Sequence, residues 1–179
     1  MTASKAELLD KLRTSRDQIV FKLRAMPPES LEQGRYESGW NGRQILAHIA
    51  SIEWTYPRLI DVAREAQAST ASPPSPAQLG RGARGEGSQA DPASRPARGG
   101  IDDYNARQVE KRAQMSVSEL IDEFEKNRAT TIAAFEQADD SLLAQRIRSA
   151  GGITGPLADV VSMIAIAHVD QHARDIAGA

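Results

Sequence analysis

The chain contains no cysteine. That excludes disulfides, thiolate metal ligands and a nucleophilic thiol carried by the protein itself. It agrees with a reducing compartment. Aromatic residues make up only 4% of the sequence, and none is interleaved with the arginines of residues 69–100 as a stacking platform for nucleic-acid bases. The longest apolar run, LADVVSMIAIAHV at 157–169, contains Asp159 and is shorter than the roughly 20 residues a membrane span needs. The opening segment, MTASKAELLDKLRTSRDQ, is charged from its first turns and reads as no secretory signal. A net charge of −2 over 179 residues calls for neither nucleic acid nor an anionic membrane as partner. The expectation is a cytoplasmic protein with one domain and one core.

What is present is helical periodicity. Ser4 and Glu7 have the spacing of a capping box, and Leu8, Leu9, Leu12, Ile19, Leu23 and Met26 follow at helical intervals. Pro27 and Pro28 end that helix, since proline lacks an N–H and restricts its predecessor. After a polar link, Asn41 and Gln44 read as the cap of a second helix with a stripe of Ile45, Ile49, Ile52, Tyr56 and Leu59. Pro57 is expected to kink it or lie near its end. A short helix is expected over IDDYNARQVEKRAQM. Ser116 and Glu119 then open a third long helix carrying Leu120, Ile121, Phe124, Ile132 and Phe135, its dense charges read as a solvated face. Asp139-Asp140-Ser141 breaks it. Pro156 marks the first turn of a last helix running to about Ile176, with Leu157, Val161, Ile164, His168, His172 and Ile176 as its stripe. No strand pattern and no internal repeat is found. The expected fold is all-α: an antiparallel four-helix bundle with its long crossover between the second and third helices.

Residues 69–100 differ from the rest. STASPPSPAQLGRGARGEGSQADPASRPARGG has almost nothing apolar to bury and reads as a flexible insertion. Its four arginines admit an Arg/Gly-mediated nucleic-acid contact, but a solvated loop is the simpler reading and no nucleic-acid partner is expected.

Histidine is scarce too. There are three, and two of them close the chain in HVDQH. His168 and His172, at i and i+4, share one helix face, and that face is the apolar one, since Ile164 and Ile176 flank the pair in register. His48 lies three residues after Ile45 and four before Ile52, on the buried stripe of its own helix. A buried imidazole without partners costs about 1–3 kcal/mol. Two explanations compete. The three can be core polar groups, as lone buried histidines usually are. Or they can ligate one divalent cation, leaving positions open as catalytic sites do. Their convergence on the inner face favours the metal. The pair is not a zincin motif, because Val169 stands where a catalytic glutamate would be needed.

GWNGRQILAHIASIEW resembles the GW…LAH…E signature of DinB-like four-helix proteins, a family that includes the N-terminal domain of mycothiol-dependent maleylpyruvate isomerases. HVDQH resembles the H-x-x-x-H of the family's last helix, and DYNARQVEKR with SVSELIDEFEKNRATTIAAFE resembles its third-helix region. The resemblance covers nearly the whole chain apart from 69–100. It implies an up-down-down-up bundle and a metal site at His48, His168 and His172, with zinc or nickel as the ion. It also implies a thiol-dependent S-transferase or isomerase using mycothiol, bacillithiol or glutathione. In that reading the cosubstrate brings the thiol the chain lacks, and the metal lowers its pKa. Tyr56 is a weak candidate for a proton donor, or equally a core aromatic. Asp170, Gln171 and Glu53 are candidates to orient the ligands. Arg43, Arg58 and Arg174 either meet an anionic substrate or are surface charge, and Trp40 and Trp54 read as packing residues. Metal-activated hydrolysis is one alternative. A bundle that binds metal or a partner protein without turnover, as a homodimer, is another.

Overall fold

The computed structural model describes residues 3–33, 39–71 and 100–177, and most of them are helical. Helix α1 (Lys5–Ala25) opens at a Ser4–Glu7 capping box and ends before the two prolines. Pro28 then starts a single helical turn, α2 (Pro28–Leu31), where only a polar link is expected. Helix α3 (Gly42–Glu53) opens at the Asn41–Gln44 box. The second helix is interrupted more sharply than a kink: Trp54 to Pro57 form turns, and α4 (Arg58–Ala71) restarts after them. Because α4 runs through Ala71, residues 69–71 are helical rather than the start of a loop; 72–99, the body of the expected insertion, lie outside the described residues. Helix α5 (Gly100–Glu110) precedes α6 (Val117–Gln137), which begins at the Ser116–Glu119 box.

After α6 the chain makes a 3-10 turn (Asp140–Ala144). It then forms two three-residue strands, β1 (Arg146–Arg148) and β2 (Thr154–Pro156), paired antiparallel with Ile147 opposite Gly155. The strandless expectation is corrected here. A hairpin this short has no periodicity to read, and Gly152, with φ of 86°, supplies the left-handed turn residue. The last helix is continuous but not uniform: α7 (Leu157–Val161), a π-helical segment (Ser162–Ala167) and α8 (His168–Ala177).

Helices α1 and α3 each pack against both α6 and α8. Two apolar clusters result. One gathers Leu8, Leu12, Phe135, Leu157 and Val161, the other Leu23, Ile45, Ile49, Phe124 and Val169. Buried polar residues, among them Ser15, Ser51, Glu53, Arg128 and Thr131, fall between the two clusters along their helices.

Candidate metal centre

His48 sits in the middle of α3, whose start is tightly placed. Asn41 accepts from the Gln44 N–H and Gln44 accepts from the Asn41 N–H, both at 2.9 Å. Gly42 lets α2 come close: a Cβ there would lie 3.1 Å from the Leu31 carbonyl oxygen. His48 is 5% exposed.

The other two imidazoles come from α8, but not as the straight stripe predicts. Buried positions of the last helix include Leu157, Ala158, Val160, Val161, Ala165, Val169, Ala173 and Ile176, while His168 is exposed and His172 half-buried. The π-helical segment explains the difference. Its wide turn carries an extra residue, so the core-facing phase after it moves on by one. The pair therefore flanks the core face instead of lying in it, and the site opens to solvent on the His168 side.

The three rings still converge. Ring centroids are 5.8 Å apart for His48 and His168, 5.3 Å for His48 and His172, and 4.4 Å for His168 and His172. One ligand nitrogen from each lies within 4.8 Å of the others. A tetrahedral ion with bonds of about 2.1 Å needs its nitrogens roughly 3.4 Å apart, within reach of small ring rotations. His48 Nδ1 and His172 Nδ1 are buried without a hydrogen-bond partner. Burial, then the neighbouring His172 and His168, pushes the His48 pKa down to about 3. Burial lowers His168 and His172 as well, opposed at His172 by the Asp175 carboxylate. All three are thus neutral donors at pH 7, and a borderline divalent cation such as zinc or nickel suits three neutral imidazoles. The residues present fit the metal.

The other candidates have partners outside the three rings. The Tyr56 hydroxyl is buried and donates to the Ile164 carbonyl at 2.8 Å, and burial, then Glu53, raises its pKa well above the usual value. Glu53 pairs with Arg128 through two bonds of 2.7 Å. Asp170 accepts from Ser15 Oγ at 2.6 Å, and Gln171 bonds Asp175 and Arg174. Arg43 is held by Glu32 and by the carbonyls of Arg112, Ala113 and Met115, where it closes the end of α5. Arg58 lies over the exposed Trp54 ring. Trp40, read as packing, borders the site with its ring 5.3 Å from His48. A groove of about 300 Å³ beside α5 is lined by Gln108, Lys111, Arg112, Met115 and Glu123, none of them a site residue.

Two contributors escaped the sequence reading. Asp175 brings a carboxylate oxygen to 3.6 Å from His172 Nδ1, longer than a hydrogen bond but close enough to act on the ring's charge. Arg128, taken with the solvated face, is fully buried. The signal existed: Arg128 stands four residues after Phe124 and four before Ile132, in step with the apolar stripe.

The model of the DinB superfamily matches residues 11–176. Two solved structures are similar in fold: the mycothiol-dependent maleylpyruvate isomerase, at 16% identity, and a histidine-to-alanine mutant of that isomerase, at 15%. Both align with a TM-score of 0.63 over 97% of this chain and 61% of theirs, so the chain spans less than two thirds of their length. None of the curated proteins matches the chain.

Proposed function

The chain belongs to the DinB superfamily, and from that premise we propose that it is a metal-dependent enzyme, a thiol-dependent S-transferase or isomerase acting on a small molecule. The observation that carries the proposal is the pair of buried, unpartnered Nδ1 atoms on His48 and His172 inside a cluster of three imidazoles. Leaving such buried atoms unsatisfied costs free energy. His48, His168 and His172 are the ligands, and zinc or nickel is the ion. When bound, the metal supplies Lewis acidity that favours a thiolate donor near neutral pH.

The chain's own residues do the rest. Burial keeps the three imidazoles neutral and ready to donate. The exposure of His168 leaves one side open to a thiol and its acceptor. A chain without cysteine is compatible with a sulfur brought in by the cosubstrate. A mycothiol-type thiol is the first choice because one structural neighbour is a mycothiol-dependent isomerase. The finer topology proposed is the antiparallel up-down-down-up bundle, supported by the packing of α1 and α3 against both α6 and α8.

Elemental analysis of tag-free protein, purified without chelating resin, tests the site. About one transition-metal ion per chain is expected in the parent and none in His48→Ala or His168→Ala. A parent that takes up neither zinc nor nickel overturns the proposal and leaves a helical interaction module. A metal-loaded parent is then assayed with mycothiol, bacillithiol and glutathione against small electrophiles, with water alone as the control for hydrolysis.

A further inference from the structure

The backbone N–H of His168 bonds to the Met163 carbonyl, five residues back. An α-helix would have sent it to Ile164, four back. The Ile164 carbonyl, released from that donor, accepts the Tyr56 hydroxyl at 2.8 Å. The next carbonyl, Ala165, accepts Arg128 Nη2 at 2.5 Å. Arg128 is in turn clamped by Glu53, and neither side chain has any exposure. Thr131 adds a bond to the Glu53 carbonyl at 3.2 Å. Glu53 ends the helix that carries His48, and Tyr56 lies in the turn after it. One segment therefore supplies the first imidazole and grips the wide turn that precedes the second.

The effect is angular. One extra residue in a turn rotates everything beyond it by about 100° relative to a straight α-helix. Without it, His168 and His172 would continue the stripe of Leu157 and Val161 into the core, and Val169 and Ala173 would leave it. With it, Val169 and Ala173 stay buried and the two imidazoles turn to the flank where His48 waits. Wide turns of this kind are rare. Here the Tyr56 hydroxyl bonds the displaced Ile164 carbonyl, and Arg128 bonds the Ala165 carbonyl beside it.

We propose that Tyr56 and the Glu53–Arg128 pair are positioning residues: they hold the wide turn Ser162–Ala167 open and so aim His168 and His172 at His48. The consequence for metal binding rests on the reading above; the consequence for the backbone does not. The test uses Tyr56→Phe and Arg128→Lys in the full chain. Three quantities are measured: thermal unfolding, amide exchange at His168 in metal-free protein, and affinity for zinc alone by chelator competition. Cobalt(II) absorption of each variant reports the ligand geometry. Tyr56→Phe is expected to remain folded, to exchange its His168 amide faster and to bind zinc about tenfold more weakly, with an altered cobalt spectrum. Arg128→Lys is expected to do the same, and if it fails to fold, Tyr56→Phe decides alone. A lower melting temperature with unchanged exchange at His168 overturns the positioning role, whatever the affinity does. If the parent takes up no zinc, the metal reading falls and exchange at His168 in Tyr56→Phe still decides: faster supports the inference, unchanged sinks it.

Discussion

Arg128→Met would leave Glu53 without a counter-charge in a site where neither side chain is exposed. The size of the loss follows from the carboxyl group. Its ordinary pKa is 4.5, and burial raises it, with Arg128 pulling the other way. In the native protein the two 2.7 Å bonds from the guanidinium require the carboxylate. With the guanidinium gone, only burial remains, and the group folds as the neutral acid. At about pH 7 the solution is about 2.5 pH units above the carboxyl's pKa in the unfolded chain, so keeping it protonated costs roughly 3.5 kcal/mol at about 1.4 kcal/mol per unit. The Ala165 carbonyl also loses a donor, adding about 1 kcal/mol. The sum lies within the roughly 3–5 kcal/mol measured when one partner of a buried pair is removed. The sign with pH is definite. A folded-state pKa raised above 4.5 means that the penalty is small near pH 4.5 and grows as pH rises. Urea unfolding of the metal-free parent, Arg128→Met, Glu53→Gln and the double variant, at about pH 7.5 and about pH 5, measures it. The double variant should recover part of the loss, since no buried charge is left alone. A loss under about 1 kcal/mol at neutral pH, or one that grows on acidification, would refute the reasoning.

Other outcomes are expected from the same structure. In chelator-treated protein, His48 is neutral in the fold with a pKa of about 3 against 6.5 in the unfolded chain. Its contribution is therefore intact above pH 6.5 and is lost as pH falls toward 3. Between about pH 8 and pH 5 the parent should lose about 2 kcal/mol more than His48→Gln in urea unfolding, and equal losses would show that His48 is not held neutral by burial. Asn41→Ala removes the cap of the helix carrying His48 and should cost about 1 kcal/mol in the same assay; no change would mean the Gln44 N–H finds another acceptor. Trp54 is 44% exposed, so Trp54→Ala should shift stability by no more than about 1 kcal/mol and leave zinc affinity unchanged. A lost metal site in that variant would place the ring nearer the chemistry than its exposure suggests.

Helix starts were legible because they are local. The side chains of Ser4, Asn41 and Ser116 each accept from the backbone N–H three residues on, and all three boxes form as read. The break near Pro57 was legible for the same reason, since a missing N–H acts on its own turn. The single turn after Pro28 and the short hairpin were not, because three or four residues carry no periodicity.

The candidates for the histidine cluster could be read from the sequence, since two imidazoles at i and i+4 share one side of a helix and His48 lies on the buried stripe of another. Their orientation could not. It depends on where the His168 N–H goes, and that is decided by donors from Tyr56 and Arg128, 108 and 37 residues away from the carbonyls they reach. The burial of Arg128 likewise depends on Glu53, 75 residues distant. Local spacing determined which residues form the helices and that His168 and His172 lie side by side on one of them. Satisfaction of displaced backbone carbonyls by distant buried side chains, possible only once the helices have packed, decided which way the site faces.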